Sequence, residues 1–306
     1  MRRIGIITKW LGLILVAMLL VWGVSAVTVL KNSVELTEKT PSDLRIATYN
    51  VHYIWADRAT GPWSVGDWEE RKESLAEAMA TLETDIIGFQ EMETFGRSSV
   101  SDTNLTLEWL LAQHPEFTAG ATGDPASFPS TQPIFFRSDR FTLQDEGWFF
   151  FSATPDSIYS RTFNGSFPAF ASWVELTDIN TKQTFKVVNI HTDFKSYRNR
   201  RLSLELVRNR IEPWLAADET VFVIGDVNAW QGSRLHYILE AAGLTFAPVR
   251  ASTYHANRGL HLFPAIDHIA YTSNVTHTKP PVVVQKKFLN AWPSDHYPVV
   301  VDVALE

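Results

Sequence analysis

Short apolar runs, each closed by a polar residue, recur along the chain. Residues 44–50 (LRIATYN) alternate loosely and end on Asn50, residues 85–89 (DIIGF) run into Gln90-Glu91, and residues 221–224 run into Gly225-Asp226-Val227-Asn228. Runs this short, rich in β-branched and aromatic residues, predict buried strands. Residues 132–137 and 148–151 predict a strand pair, and residues 171–176 and 184–190 predict another, joined by a polar turn at 178–182. Residues 266–271 predict a strand carrying Asp267, and 299–303 a last one, preceded by Ser294-Asp295-His296 between two prolines. Segments of helical period lie between them. One opens on a capping box at Asp67-Trp68-Glu69-Glu70 and places Leu75, Ala78, Met79 and Leu82 on one face. Others are predicted over 104–113, 197–217 and 233–242, the last stopped by Gly243. Strands interspersed with helices predict an α/β chain.

The first thirty residues break this pattern. Arg2, Arg3 and Lys9 precede 21 residues without a charge, Trp10 to Leu30. That length crosses a bilayer as a helix, and basic residues before it place the remainder outside the cytoplasm. A signal anchor and a cleaved signal peptide, cut after Val24-Ser25-Ala26, both fit. Residues 31–43 are polar and predict a tether. No Pro/Gly/Ser linker divides the region after residue 43, so 44–306 is read as one domain.

Composition narrows the chemistry. Hydrophobic residues make up 45% and charged residues 20%, enough apolar content for a sizeable core. There is no cysteine, which excludes disulfides, thiolate catalysis and zinc–thiolate sites. Net charge is −7, and beyond residue 30 there are 24 basic against 34 acidic residues. Such a balance argues against tight non-specific binding to a phosphate backbone. The basic helix at 197–217 carries Arg198, Arg200, Arg201, Arg208 and Arg210; it reads as a phosphate-facing patch or, preferably, as a solvated face.

The polar residues that close the apolar runs form the candidate site: Asn50, Glu91, His191, Asp193, Asp226, Asn228, Asp267, Asp295 and His296. Each alone is an ordinary turn or surface residue. Their shared position at strand ends is what selects them. Carboxylates and amides without thiols make an oxygen-ligand site for a hard cation, Mg²⁺ above all, with Mn²⁺ as alternative. A histidine paired with an acid adds a proton donor or acceptor near neutral pH. Together they suit phosphoryl transfer to water.

The ordered motifs TYN (48–50), QE (90–91), NIHTD (189–193), GDVN (225–228), ID (266–267) and SDH (294–296) resemble the endonuclease/exonuclease/phosphatase superfamily of metal-dependent phosphoesterases. The resemblance spans about residues 44–303. It implies a four-layer α/β/β/α sandwich with two facing mixed sheets, here preceded by the transmembrane or signal helix. It also implies that Glu91 is the principal metal ligand with Asn50 beside it, and that Asp295 helps hold metal or histidine. Asp226 and Asn228 would orient water and phosphate, His296 would act with Asp267, and His191 would contact phosphate. Whether Asp226 or His296 is the base stays open. Substrates handled by relatives are nucleic acid, inositol phosphates and phospholipid head groups; no protein partner is expected.

Departures are specific. The family's NTHLDH is Asn189-Ile190-His191-Thr192-Asp193-Phe194 here, and its IDY is Ile266-Asp267-His268. An arginine that many bacterial relatives place after a proline is absent, since Pro168 is followed by Ala169. Arg161 is the nearest substitute, and with Asp193 it is carried as a phosphate-contacting candidate. Two other function classes compete with an extracytoplasmic phosphoesterase. A membrane-tethered binding module would have no need of the full polar set, and a Ser-His-Asp hydrolase would need a G-x-S-x-G elbow that the chain lacks.

Overall fold

The computed structural model describes residues 12–18, 30–31, 34–95 and 103–306. Two mixed sheets carry the fold. The first contains β1 (Leu44–Asn50), β3 (Ile86–Gln90), β5 (Phe117–Gly120), β6 (Ile134–Arg137), β13 (Val275–His277), β14 (Val282–Val283) and β15 (Val299–Leu305). The second contains β7 (Phe141–Phe150), β8 (Phe170–Asp178), β9 (Thr184–His191), β10 (Thr220–Asp226), β11 (Thr245–Phe246) and β12 (Asp267–Tyr271). A small ribbon pairs β2 (Ile54–Trp55) with β4 (Thr94–Phe95). The helices are α1 (Val65–Leu82), α2 (Leu105–Gln113), α3 (Tyr197–Ala216) and α4 (His236–Glu240).

The strand orders are β13-β15-β1-β3-β6-β5, with β14 also on β15, and β11-β12-β10-β9-β8-β7. Each sheet is built around a parallel pair, β1 with β3 and β10 with β9. Each pair has antiparallel neighbours on both sides: β15 beside β1 and β6 beside β3 in the first sheet, β12 beside β10 and β8 beside β9 in the second. The C-terminal ends of the parallel strands and the N-terminal starts of β12 and β15 therefore share one edge.

Strand alternation decides the layers. In β10, Phe222 and Ile224 face the other sheet and join Ile46, Ile86, Val187 and Val301 in the central core. Val221 and Val223 face outward against Leu204, Val207 and Ile211 of α3. In the first sheet, Ala47, Tyr49, Ile87 and Phe89 pack on Leu75, Met79 and Leu82 of α1 and Leu110 of α2. Strands covered on both faces must be apolar throughout, which is why they read as runs without clean alternation. The result is helix, sheet, sheet, helix, the four layers expected.

Three expectations need correction. Helix α1 starts at Val65, and its cap is Ser64, whose Oγ accepts from Asp67 N–H at 3.1 Å. Asp67 is thus the residue whose N–H the cap accepts rather than the cap itself, and no reciprocal box forms because Ser64 N–H donates to Gly61 O. Residues 132–137 and 148–151 do not pair with each other: β6 pairs with β3 and β5 in one sheet, and β7 with β8 in the other. The turn between them carries the chain across the sandwich. Helix α4 spans His236–Glu240, much shorter than 233–242.

The uncharged stretch 10–30 lies mostly outside the described residues. Residues 12–18 are helical, and no helix among the described residues is long and apolar enough to cross a membrane. Residues 34–43 run against the domain. Val34 and Leu36 pack on the core of the first sheet. Thr37 O accepts from Arg45 Nη2 at 2.8 Å, Glu38 O accepts from Lys279 Nζ at 2.6 Å, and Lys39 pairs with Asp85 at 2.6 Å.

Gly225 lies where the second sheet's central strands β9 and β10 approach closely. It sits at φ 141°, and a Cβ there would lie 1.9 Å from Ile190 O. Gly225→Ala is expected to lower stability by about 3 kcal/mol or more, as overpacking against immobile backbone does. Gly165→Ala, at φ 77° with open space around it, should cost only the left-handed backbone term of about 1–2 kcal/mol. Chemical denaturation of both variants checks this, and equal midpoints would refute the close approach.

Candidate active site

Below the shared edge, amides stitch the sheets together. Gln90 Nε2 donates to Asn189 Oδ1 at 2.6 Å, and Asn189 Nδ2 donates to Phe89 O at 2.7 Å. Gly88 allows this approach, because a Cβ there would meet Ile224 Cδ1 at 2.5 Å. Motif residues Gln90 and Asn189 thus support the site from beneath.

Above the stitch, the strand ends converge. Asn50 closes β1, and its Nδ2 donates to Glu91 Oε1 at 3.1 Å and to Asp226 Oδ2 at 3.2 Å, reaching from one sheet to the other. Glu91 and Asn228 both adopt left-handed backbone, with φ 55° and 49°. Non-glycine residues reach that region at a cost, so each must be held by its surroundings. Asn228 is held twice: its N–H donates to Asp226 Oδ1 at 2.9 Å and its Nδ2 to Thr192 O at 3.0 Å. Partly exposed at the mouth, His191 places Nε2 3.6 Å from Asp226 Oδ2 and 3.8 Å from Glu91 Oε1.

His296 completes the cluster from the turn before β15. Its Nδ1 lies 2.9 Å from Asp267 Oδ2, and its Nε2 lies 3.9 Å from Asp226 Oδ2. Burial alone would push His296 down. The Asp267 carboxylate, its hydrogen bond, and the charges of Asp226 and Asp295 overcome this and hold the imidazole well above its ordinary value. Asp226 moves the other way. Burial and then the Asp267 charge raise it to about 6, against the opposing pull of His296 and His191. Asp295 also feels burial, but His296, with His52 and His255, holds its carboxyl below the usual range.

Glu91 and Asp295 approach one region, since both charges act on His52, Tyr53 and Tyr254. Asn50 adds its side-chain oxygen, which accepts from His52 N–H at 3.2 Å. This set of Glu91, Asp295 and Asn50 has the residue types a hard divalent cation takes, though Asn50 here turns its Nδ2 to Glu91. A second set lies beside it: Asp226, Asp267 and His296 offer ligand atoms all within 4.8 Å of one another. In that set the Asp267–His296 hydrogen bond already engages one atom of each residue, so it suits proton handling better than metal ligation.

Two sequence candidates stand apart. Asp193 Oδ1 accepts from Lys195 N–H and Ser196 N–H at 2.8 and 2.6 Å, forming the turn into α3. Arg161, on an exposed loop, donates to Gly165 O at 2.9 Å. Both border the same 160–166 loop, because Ser166 Oγ lies 3.4 Å from Asp193 Oδ2. The α3 arginines are engaged locally: Arg200 Nη1 donates to Asp193 O and Phe194 O, while Arg201 and Arg210 pair with Glu205 and Asp156. At the IDY departure, buried His268 fills a core position, its Nε2 2.9 Å from Ala229 O.

The sequence reading missed the residues that hold the cluster in place. Buried Arg71 donates to Val51 O (2.9 Å), Pro293 O (2.8 Å) and His52 O (2.7 Å), tying the end of β1 to the Ser294-Asp295-His296 turn. Ser294 Oγ donates to Asn50 O at 2.7 Å, making the same tie from the other side. Glu93, near Glu91 and His191, is pushed up to about 7, chiefly by burial. An arginine within a helix pattern gives no local signal of a distant carbonyl partner.

The sequence model of the endonuclease/exonuclease/phosphatase family matches residues 47–296. No curated protein matches the chain. Among solved structures, an endonuclease/exonuclease/phosphatase family protein from Bacteroides thetaiotaomicron superposes with a TM-score of 0.72 at 22% identity, covering 87% of this chain and 99% of that one. A mannosyl-6-phosphatase from the same organism gives 0.70 at 22%, covering 86% and 100%. TDP2 from D. rerio, solved with a single-strand DNA product, gives 0.60 at 14%, covering 86% and 99%. At these identities the superpositions establish the shared fold, while the match across most of the chain establishes descent. The chain therefore belongs to the endonuclease/exonuclease/phosphatase family, whose members hydrolyse phosphoester bonds.

Proposed function

We propose that this protein is an extracytoplasmic, Mg²⁺-dependent phosphoesterase that transfers a phosphoryl group to water. The observation that carries the reading is the convergence of Glu91, Asp226 and the His296–Asp267 pair, from both sheets, on one mouth. Arg2, Arg3 and Lys9 ahead of the uncharged stretch 10–30 support the location.

Glu91, Asn50 and Asp295 would hold the cation, which supplies charge neutralisation at the phosphate. Asp226 takes the proton of the attacking water. Its pKa of about 6 leaves it ionised at neutral pH yet basic enough to accept. His296 is the complementary group. Held protonated by Asp267, it has no free lone pair to act as base, and its Nε2–H is available to a phosphoryl oxygen. Asn228 fixes the orientation of Asp226, and His191 lines the same mouth for the phosphate. The water oxygen bonds to phosphorus as the bond to the leaving oxygen breaks, and the leaving oxygen ends protonated.

Three outcomes are expected with bis-p-nitrophenyl phosphate as substrate. The full chain should turn it over with Mg²⁺ and stop in EDTA, and Glu91→Ala should lose both rate and metal response; a Glu91→Ala enzyme with unaltered Mg²⁺ titration would remove that residue from the metal set. His296→Ala should lower kcat by about 10²–10⁴-fold with little change in KM. A change in KM alone would make His296 a binding group instead. Arg71→Met leaves three carbonyls without their donor, each worth about 1–3 kcal/mol, so both melting temperature and kcat should fall; a drop in neither would show that Arg71 does not hold the two loops.

A further inference from the structure

The segment between β11 and β12 does two things. Inward, it is bound to the catalytic cluster. Thr253 Oγ1 accepts from Ile266 N–H and Asp267 N–H at 3.0 and 3.2 Å, His255 N–H donates to Asp295 O at 2.8 Å, and the Tyr254 ring packs 5.1 Å from His296. Outward, it presents Leu260, Leu262 and Phe263 at 40%, 55% and 49% exposure. The neighbouring turn adds Leu289 at 62%. The two loops touch, since a Cβ on Gly259 would meet the Trp292 ring at 2.8 Å. Clustered apolar tips on a surface call for an occupant.

Around the acidic mouth, these loops carry cations. Residues 30–34, 250–265 and 285–293 contain Lys31, Arg250, Arg258, Lys286 and Lys287 and not one Asp or Glu, in a chain of net charge −7. Lys286 and Lys287 lie over the Phe288 and Trp292 rings, at 4.8 and 5.3 Å from the ring centroids. Apolar tips flanked by cations are the composition of a surface that enters the headgroup layer of a bilayer.

The chain also delivers its uncharged stretch to this face. Leu30, the last residue of that stretch, accepts hydrogen bonds at its carbonyl from Ser252 N–H (2.8 Å) and Gln285 Nε2 (3.0 Å). Residues 12–18 of the stretch are helical, with Leu13, Leu15, Val16 and Met18 all exposed. A helix apolar on every side suits lipid rather than water.

We propose that Leu260, Leu262, Phe263 and Leu289, with their flanking cations, seat this protein on an anionic bilayer surface, and that the substrate is the phosphoester of a lipid in that bilayer. The chemistry rests on the phosphoesterase reading above. The surface supplies the substrate class: a site whose own rim loop enters the headgroup layer meets phosphoesters already concentrated there. Each cation near an anionic surface adds about 1 kcal/mol of attraction, and each apolar tip adds its burial.

The absence of cysteine allows a direct test on the full chain. Leu262→Cys, labelled with a polarity-sensitive dye, is reconstituted in vesicles of phosphatidylcholine and phosphatidylglycerol. Its emission should shift to the blue and be quenched by lipid bearing a nitroxide on the acyl chain. The same dye at Thr181→Cys, on the β8–β9 turn at the far end of the strands, should report water. A water-like signal at position 262 overturns the surface, as does a shift that follows protein concentration and ignores the nitroxide, which would assign the face to a second copy. The triple variant Leu260→Ser/Leu262→Ser/Phe263→Ser should hydrolyse vesicle phospholipid at least tenfold more slowly than the parent while keeping its rate on bis-p-nitrophenyl phosphate. Equal rates on vesicles would overturn the role of the loop. A parent enzyme that cleaves the soluble diester but no vesicle lipid would overturn the substrate class and leave the phosphoesterase reading standing. Inactivity on both would remove that reading, and this inference with it.

Discussion

Gln90 and Asn189 meet across the two sheets with 2.6 Å between amide nitrogen and amide oxygen. Both are fully buried, and in an apolar interior a polar side chain is stable only when its donors and acceptors are matched. Thr48, Phe89 O and the Gln132 carbonyl complete the matching. The packing of hydrophobic side chains between the sheets is non-directional and would tolerate sliding. The amide contact is directional and would not. It fixes the two parallel pairs in one register, and one step above it Asn50 can then reach Glu91 in its own sheet and Asp226 in the other. Without that register, the carboxylates of the two sheets would not share a mouth.

Bringing them together concentrates negative charge. Glu91, Asp226, Asp267 and Asp295 gather with little compensation from side-chain cations, because the nearby buried guanidinium of Arg71 is spent on carbonyls. Part of the balance comes from the protonated His296, which Asp267 binds directly. The remainder is an excess of oxygen ligands, and Asp267 Oδ1 has no hydrogen-bond partner among the described residues. An anionic site that binds an anionic phosphate needs a cation between them. The same charge crowding raises His296 and adds to the burial that raises Asp226, and it is the reason the proposed reaction places a divalent cation at this edge.

Much of this was legible from the chain because strand ends are marked locally. A buried strand is a short apolar run, and a polar residue closing it must sit at an edge, so Asn50, Glu91, Asp226, Asp267 and His296 could be placed on one edge before any coordinates. What was not legible is carried by long-range partners. Residues 132–137 and 148–151 look alike in sequence, and only the three-residue crossing between β6 and β7 sends them to different sheets. Arg71 reads as a helix-surface charge until its three carbonyl acceptors, on two distant loops, are seen. Asp193 follows His191 in a motif yet turns away into the turn that precedes α3, because the Lys195 and Ser196 N–H groups claim its carboxylate. Local pattern gives the address of a side chain; hydrogen-bond competition decides where it points.

The N-terminal segment shows the same competition at larger scale. Its polar composition predicted a free tether, but residues 34–43 spend their backbone and charges on Arg45, Lys279 and Asp85, and Leu30 is bound at Ser252 and Gln285. At these points the described part of the segment belongs to the domain surface. Lys39 and Asp85 lie at the end of the sheet where β1 and β3 start, whereas Leu30 is bound beside the loop that holds Asp267 and His296. The described part of the segment thus touches the domain at both ends of the strands, and hydrogen bonds hold it there.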